Sequence, residues 1–192
     1  MRGGVLFVEN KDSFSWNVID LLPVPRARVQ VCGACEVRRD PSILARAGVV
    51  VIGPGPRDPE RAGLVELVRE AARRRKPLLG VCLGHQALGL AFGARLARST
   101  PAHGETARAI FSLSRLFAGV RGPVTVMRYH SLSLRGVRAP LRTVAALGDG
   151  TVMAVEHEAL PMAGVQFHPD SFATPGGREM LAAFFRAAAG GA

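Results

Sequence analysis

A chain of 192 residues that is 48 % hydrophobic is long enough for a single core, expected as one domain over residues 1–192. No apolar run approaches the roughly 20 residues that would span a bilayer, so no membrane partner is expected. The net charge of +10 is carried almost wholly by arginine, Lys11 and Lys76 being the only lysines. The basic residues are scattered and one Trp and one Tyr build no stacking platform, so no nucleic-acid partner is expected.

The apolar run 5–8 reads as a buried strand. It is too short for the core of a signal peptide and no cleavage pattern follows, so a cytoplasmic protein is expected. A helix over 14–22, capped by Asp12 or Ser13 and stopped by Pro23 and Pro25, leads into a strand over 28–32. That strand ends on Cys32-Gly33-Ala34-Cys35. The spacing suits a redox or zinc motif, but no second ligand pair exists, and thiols placed by coincidence in a strand and turn are the better reading. Asp40-Pro41 opens a short helix and 49–52 is a buried strand. Asp58-Pro59-Glu60 starts a longer helix ending near Arg75, where Arg73-Arg74-Arg75-Lys76 complements the helix dipole. A strand over 77–81 and a helix over 87–92 complete an alternating β-α order. This implies an α/β fold of three layers, with a mostly parallel central sheet and helices on both faces. Strands at 106–111, 123–129, 141–146 and 152–157, with Gly148-Asp149-Gly150 as a hairpin turn, predict an antiparallel extension and a flanking layer. A strand over 162–167 and a helix over 177–189 close the chain.

Between strand 77–81 and the helix after it stands Gly80-Val81-Cys82-Leu83-Gly84-His85-Gln86. The glycines bracketing Cys82 have the spacing of a nucleophile elbow, a tight turn that lifts the reactive side chain clear of the sheet edge. Free N–H groups and the dipole at the helix start favour thiolate, which would make Cys82 nucleophilic near neutral pH. An unpaired cysteine can equally be a space-filling one. The balance shifts with Gln166-Phe167-His168-Pro169-Asp170, where His168 falls just past a strand end. Strand ends gather at one edge of a parallel sheet, so His168 could meet Cys82 there, with Asp170 holding the imidazole. His85 competes as the base but is expected to be taken up by the helix start. His130 is read as site support rather than chemistry, and a loop histidine such as His103 is more often structural than catalytic. Gly53-Pro54-Gly55-Pro56 lacks the P-loop pattern, and its prolines cannot donate N–H groups, so an oxyanion turn fits better than a phosphate loop.

These motifs carry a resemblance to the class I (triad) glutamine amidotransferases, flavodoxin-like in fold, and within them to the small glutaminase component of anthranilate synthase and of aminodeoxychorismate synthase. The matching blocks are Glu9-Asn10-Lys11-Asp12-Ser13-Phe14, Gly53-Pro54-Gly55-Pro56-Arg57-Asp58-Pro59, residues 79–88, Ala102-His103-Gly104-Glu105-Thr106, Arg128-Tyr129-His130-Ser131-Leu132 and residues 165–175, in family order. The resemblance implies that Cys82 attacks the side-chain amide of L-glutamine, with His168 as general acid/base and Asp170 as third member. It implies an oxyanion hole from the N–H groups of Gly55 and Leu83, and substrate contacts from Gly55, Pro56, Arg57, Gln86, Ser131 and Leu132. No cofactor and no metal are implied. The expected partner is a chorismate-using synthase subunit that receives the ammonia, for tryptophan or for folate. A stand-alone hydrolase of another γ-glutamyl compound, or an inactive regulatory subunit, are the rival readings. Some positions depart from the family. Asp170 stands for Glu, shortening the reach, and Arg57 stands for a glycine, which would be strained if that position needs positive φ. Glu105 stands for Lys and Lys11 for a frequent aromatic.

Overall fold

The computed structural model describes residues 3–190. Its first half alternates: β1 (Val5–Glu9), α1 (Ser15–Leu21), β2 (Val29–Gly33), α2 (Ala34–Arg39), α3 (Pro41–Arg46), β3 (Val49–Ile52), α4 (Leu64–Arg73), β4 (Leu78–Val81) and α5 (Leu83–Ala91). The second half is mostly strands: β5 (Arg95–Arg98), β6 (Glu105–Phe111), β7 (Gly122–Arg128), β8 (Leu132–Arg135), β9 (Leu141–Ala146), β10 (Val152–His157) and β11 (Met162–Val165), before α6 (Gly177–Ala189).

The main sheet has nine strands in the order β2-β1-β3-β4-β11-β10-β9-β6-β7. The pairs from β2 through to β11 are parallel, and those from β11 to β7 are antiparallel, which is the expected extension. Strands β3, β4 and β11 are buried along their whole length. Their sequences are unbroken apolar runs rather than alternating ones, because helices cover both faces of a parallel sheet. Alternate side chains of β1 accordingly serve two cores. Val5 and Phe7 pack with Val18 of α1 and Phe184 of α6, while Leu6 and Val8 pack with Leu67 and Val68 of α4 and Leu88 of α5. Each such side chain, fully buried, contributes about 1.5–3 kcal/mol of transfer free energy.

Several local expectations are corrected. Neither Asp12 nor Ser13 caps α1: its N-cap is Phe14, without a side-chain cap, and Asp12 accepts from the Phe14 N–H at 2.9 Å in the turn before the helix. The Cys32-Gly33-Ala34-Cys35 segment does open a helix: Glu36 reaches back to the Gly33 N–H at 2.7 Å and starts α2. Both thiols are free, Cys32 buried and Cys35 exposed. Asp58 caps only a turn, through the N–H groups of Glu60 and Arg61; Gly63, at φ 72, reorients the chain before α4 begins. The basic run after α4 is partly neutralised, since Glu70 pairs with both Arg73 and Arg74. Helix α5 begins four positions earlier than its apolar pattern suggested, immediately after Cys82. Strands β5 and β8 form a separate two-stranded sheet that was not expected, because arginines at both ends of β5 and at the end of β8 dilute the apolar signal.

Buried Glu156 anchors the loop after β6. It accepts from Ser114 Oγ at 2.5 Å and from the Leu116 N–H at 3.1 Å, and it pairs with Arg142.

Candidate active site

Cys82 sits at φ 50, ψ −97, a conformation that L-residues rarely hold and that costs on the order of 1–3 kcal/mol. The surroundings over-determine it. Its N–H donates to Val165 O at 2.8 Å, tying the turn to β11, and its carbonyl accepts from the Gln86 N–H at 3.1 Å. The flanking glycines are required by close approach. A Cβ on Gly80 would lie 2.4 Å from Gly84 O, and one on Gly84 would lie 2.3 Å from Ile52 O. Gly84→Ala is therefore expected to lower stability by about 1–3 kcal/mol through overpacking against rigid backbone. A urea midpoint matching that of the parent protein would show that the close approach is not needed.

Gln166 and His168 follow β11, so strands β4 and β11, adjacent and parallel, deliver Cys82 and His168 to the same sheet edge. His168 is fixed by its backbone. Its N–H donates to Met127 O at 2.9 Å, and its carbonyl accepts from Thr174 Oγ1 at 2.7 Å, which in turn receives the Met127 N–H. Phe14 and Tyr129 hold the imidazole edge-on, with ring centroids at 5.5 and 5.1 Å. Asp170 Oδ1 lies 3.3 Å from His168 Nδ1, both side chains nearly fully buried. This is an ion-pair contact rather than a well-aligned hydrogen bond, since neither atom meets hydrogen-bond geometry with any partner among the described residues. Aspartate thus reaches the ring despite its shorter stem, but loosely. Burial disfavours the charged ring. Hydrogen-bonding and electrostatic interactions with Asp170 and Cys82 outweigh it and raise the His168 pKa from 6.5 to about 10.

The expected substrate contacts converge. Gly55, Pro56, Arg57, Cys82, Gln86, Ser131 and Leu132 line one cavity of about 170 Å³, joined by Tyr129 and His130. Leu83, the first residue of α5, carries one of the N–H groups that a helix start leaves without an intrahelical partner. The 53–57 turn runs close by: a Cβ on Gly55 would lie 2.6 Å from Asn10 Cβ and 2.9 Å from Leu83 Cδ2. Asn10, buried, braces this turn by donating to Gly53 O at 3.0 Å. Arg57 carries no backbone strain. Among the described residues only Lys11, Arg75 and Cys82 are non-glycines at positive φ.

The other histidines separate clearly. His85 is buried against β11, with Gly164 so close that a Cβ there would lie 3.1 Å from its Nδ1. Burial, with a smaller effect from His130, lowers its pKa to about 3, which leaves it too weak a base for a thiol. His130 rests on Leu132 O through Nδ1 at 3.0 Å and receives Arg128 Nε on Nε2 at 3.2 Å. Burial and the Arg128 charge lower its pKa to about 4, which suits a neutral bracket of the 131–132 segment. His103 is exposed.

Gln166 was missed as a site residue. Its Nε2 lies 3.7 Å from Cys82 Sγ and its Oε1 accepts from Gln86 at 3.3 Å, linking the thiol to the cavity wall. The aromatic bracket of Phe14 and Tyr129 was missed as well. Phe14, Tyr129 and Gln166 all lie inside the matching sequence blocks, but nothing in their spacing reveals that they meet.

The family model for glutamine amidotransferase class-I matches residues 6–188. Anthranilate synthase component 2 of Mycobacterium tuberculosis is 40 % identical over 184 residues, covering 93 % of this chain and 79 % of the relative. An aminodeoxychorismate synthase of Streptomyces griseus is 40 % identical over 182 residues, covering 93 % of this chain and 25 % of that longer protein. In fold, the crystal structure of a glutamine amidotransferase from Thermotoga maritima superposes with a TM-score of 0.71 at 16 % identity, over 88 % of this chain and 77 % of that one. Since the family match runs unbroken from the first strand into the last helix, the chain belongs to the class-I glutamine amidotransferases.

Proposed function

We propose that this chain is the glutaminase subunit of an anthranilate synthase, one amidotransferase domain over residues 1–192 that hydrolyses L-glutamine and passes the ammonia to a chorismate-using synthase subunit. The observation that carries the reading is the strained turn at Cys82, in contact with a raised-pKa His168 backed by Asp170. Cys82 Sγ attacks the amide carbon of glutamine. The oxyanion that develops is taken by the N–H groups of Leu83 and Gly55, each such donor typically worth about 3 kcal/mol at the transition state. His168, protonated at neutral pH, gives its proton to the departing nitrogen as the C–N bond breaks, releasing ammonia and leaving a glutamyl thioester on Cys82. The imidazole then takes a proton from water as that water attacks the thioester. Glutamate leaves, and the proton returns to the Cys82–His168 pair. Asp170 stabilises the imidazolium, while Gln86 and the Ser131-Leu132 backbone hold the substrate.

Transfer to a docked synthase suits the chemistry, since ammonia free in neutral water is mostly ammonium and a poor nucleophile. The cytoplasm is the proposed setting, supported by the free thiols Cys32, Cys35 and Cys82. A second reading, glutaminase for aminodeoxychorismate formation, is favoured by the equal identity, 40 %, to the Streptomyces griseus protein. Glutamate release and aminated product are measured with the chain alone and with each candidate synthase from the same cell. Stimulation by the anthranilate-forming synthase alone is expected. Stimulation by the aminodeoxychorismate-forming one alone selects the second reading, and stimulation by neither overturns the subunit assignment.

A further inference from the structure

The glutamine cavity carries one fixed charge. Among the described residues lining it, Arg57 is the only Lys or Arg and none is a carboxylate. Two of the neutral polar side chains beside it are already engaged. Both ring nitrogens of His130 are used, on Leu132 O and Arg128, and the Gln86 amide N–H₂ is directed to Leu132 O and Gln166 Oε1. Arg57, by contrast, is exposed and makes no hydrogen bond or ion pair among the described residues. It also borders a second cavity of about 340 Å³ that contains Glu9 and Glu36. Those carboxylates are held by main-chain N–H groups, Glu9 by Lys11 and Asp12 and Glu36 by Gly33, so they do not capture it. Nor does the backbone demand a particular residue at position 57, which lies outside the left-handed region. What arginine adds here is its side chain, an exposed guanidinium with no polar partner among the described residues, on the cavity that buried Cys82 also lines.

L-Glutamine with its side-chain amide at Cys82 must leave its α-carboxylate toward the mouth of that cavity. We infer, resting on the glutaminase reading, that the Arg57 guanidinium binds the α-carboxylate of L-glutamine and selects for it over neutral amides. A planar fork of N–H donors matches a carboxylate in bidentate fashion, which a lysine ammonium does not reproduce.

The test is titration calorimetry on the Cys82→Ala protein, in which bound substrate is not consumed, with Arg57 retained or replaced by Ala or Lys. The ligands are L-glutamine and its α-amide, in which a neutral group replaces the carboxylate. Arg57→Ala is expected to weaken L-glutamine binding about 10- to 100-fold, to the level of the α-amide, and to leave the α-amide unchanged. Arg57→Lys should recover part of the loss. An unchanged affinity for glutamine, or an equal loss for both ligands, overturns the Arg57 assignment and leaves the glutaminase reading standing. Failure of the Cys82→Ala protein with Arg57 intact to bind glutamine overturns both.

Discussion

Cys82→Ala is expected to lower glutamine hydrolysis by about 10⁴-fold or more while the protein remains folded. The loss is large because the sulfur is itself the atom that would bond to substrate, and no positioning or electrostatic effect replaces a missing nucleophile. The fold should survive because the contacts that hold the turn are made by main chain. The Cys82 N–H to Val165 O and the Gln86 N–H to Cys82 O are both indifferent to the side chain. Alanine, like cysteine, carries a Cβ, so the cost of φ 50 changes little between the two. Glutamate release and a thermal melt on the same preparation check both halves. Hydrolysis retained by the purified variant would remove Cys82 from the chemistry.

The second large effect is at the base. His168→Ala is expected to reduce kcat about 10²- to 10⁴-fold, the usual range for general acid–base catalysis. It also makes a distinctive claim about pH. The imidazolium is the acid that protonates the leaving nitrogen, so parent activity should fall as pH rises through about 10, where that proton is lost. The residual activity of the variant should lack this limb. Contact with Asp170 helps raise the His168 pKa, so Asp170→Ala should move the alkaline limb to lower pH, with a smaller loss of rate than removing the ring. A limb that stays in place would mean that Asp170 does not act on His168. Should it move, the loose 3.3 Å contact is a functional one, and the shorter carboxylate still serves.

The site was legible where chemistry and local geometry share one short segment. The spacing Gly80-Val81-Cys82-Leu83-Gly84 specifies a turn because only glycine allows Gly80 to meet Gly84, and Gly84 to meet Ile52, at the distances observed. His168 was legible because a histidine closing an apolar strand must stand at a sheet edge. The contacts of Gln166 with Cys82, and of Phe14 and Tyr129 with His168, were not legible, since they join residues far apart in sequence with no periodicity to signal them. The competition between His85 and His168 could be argued from sequence but was decided by packing. One ring is sealed against Gly164 and pushed to about 3, and the other meets Asp170 and Cys82 and is pushed to about 10.

By itself the amino-acid sequence determined the alternating half of the fold, the elbow and the family. Unbroken apolar runs, prolines and glycines act through local sterics and burial, which need no knowledge of the rest of the chain. Only the tertiary structure decided that His168 rather than His85 holds the proton, that Arg57 is unstrained and has no polar partner among the described residues, and that strands β5 and β8 form a separate sheet beside the cavity. Those outcomes depend on which groups become neighbours and how much water each one loses, and that is set by the packing of distant segments.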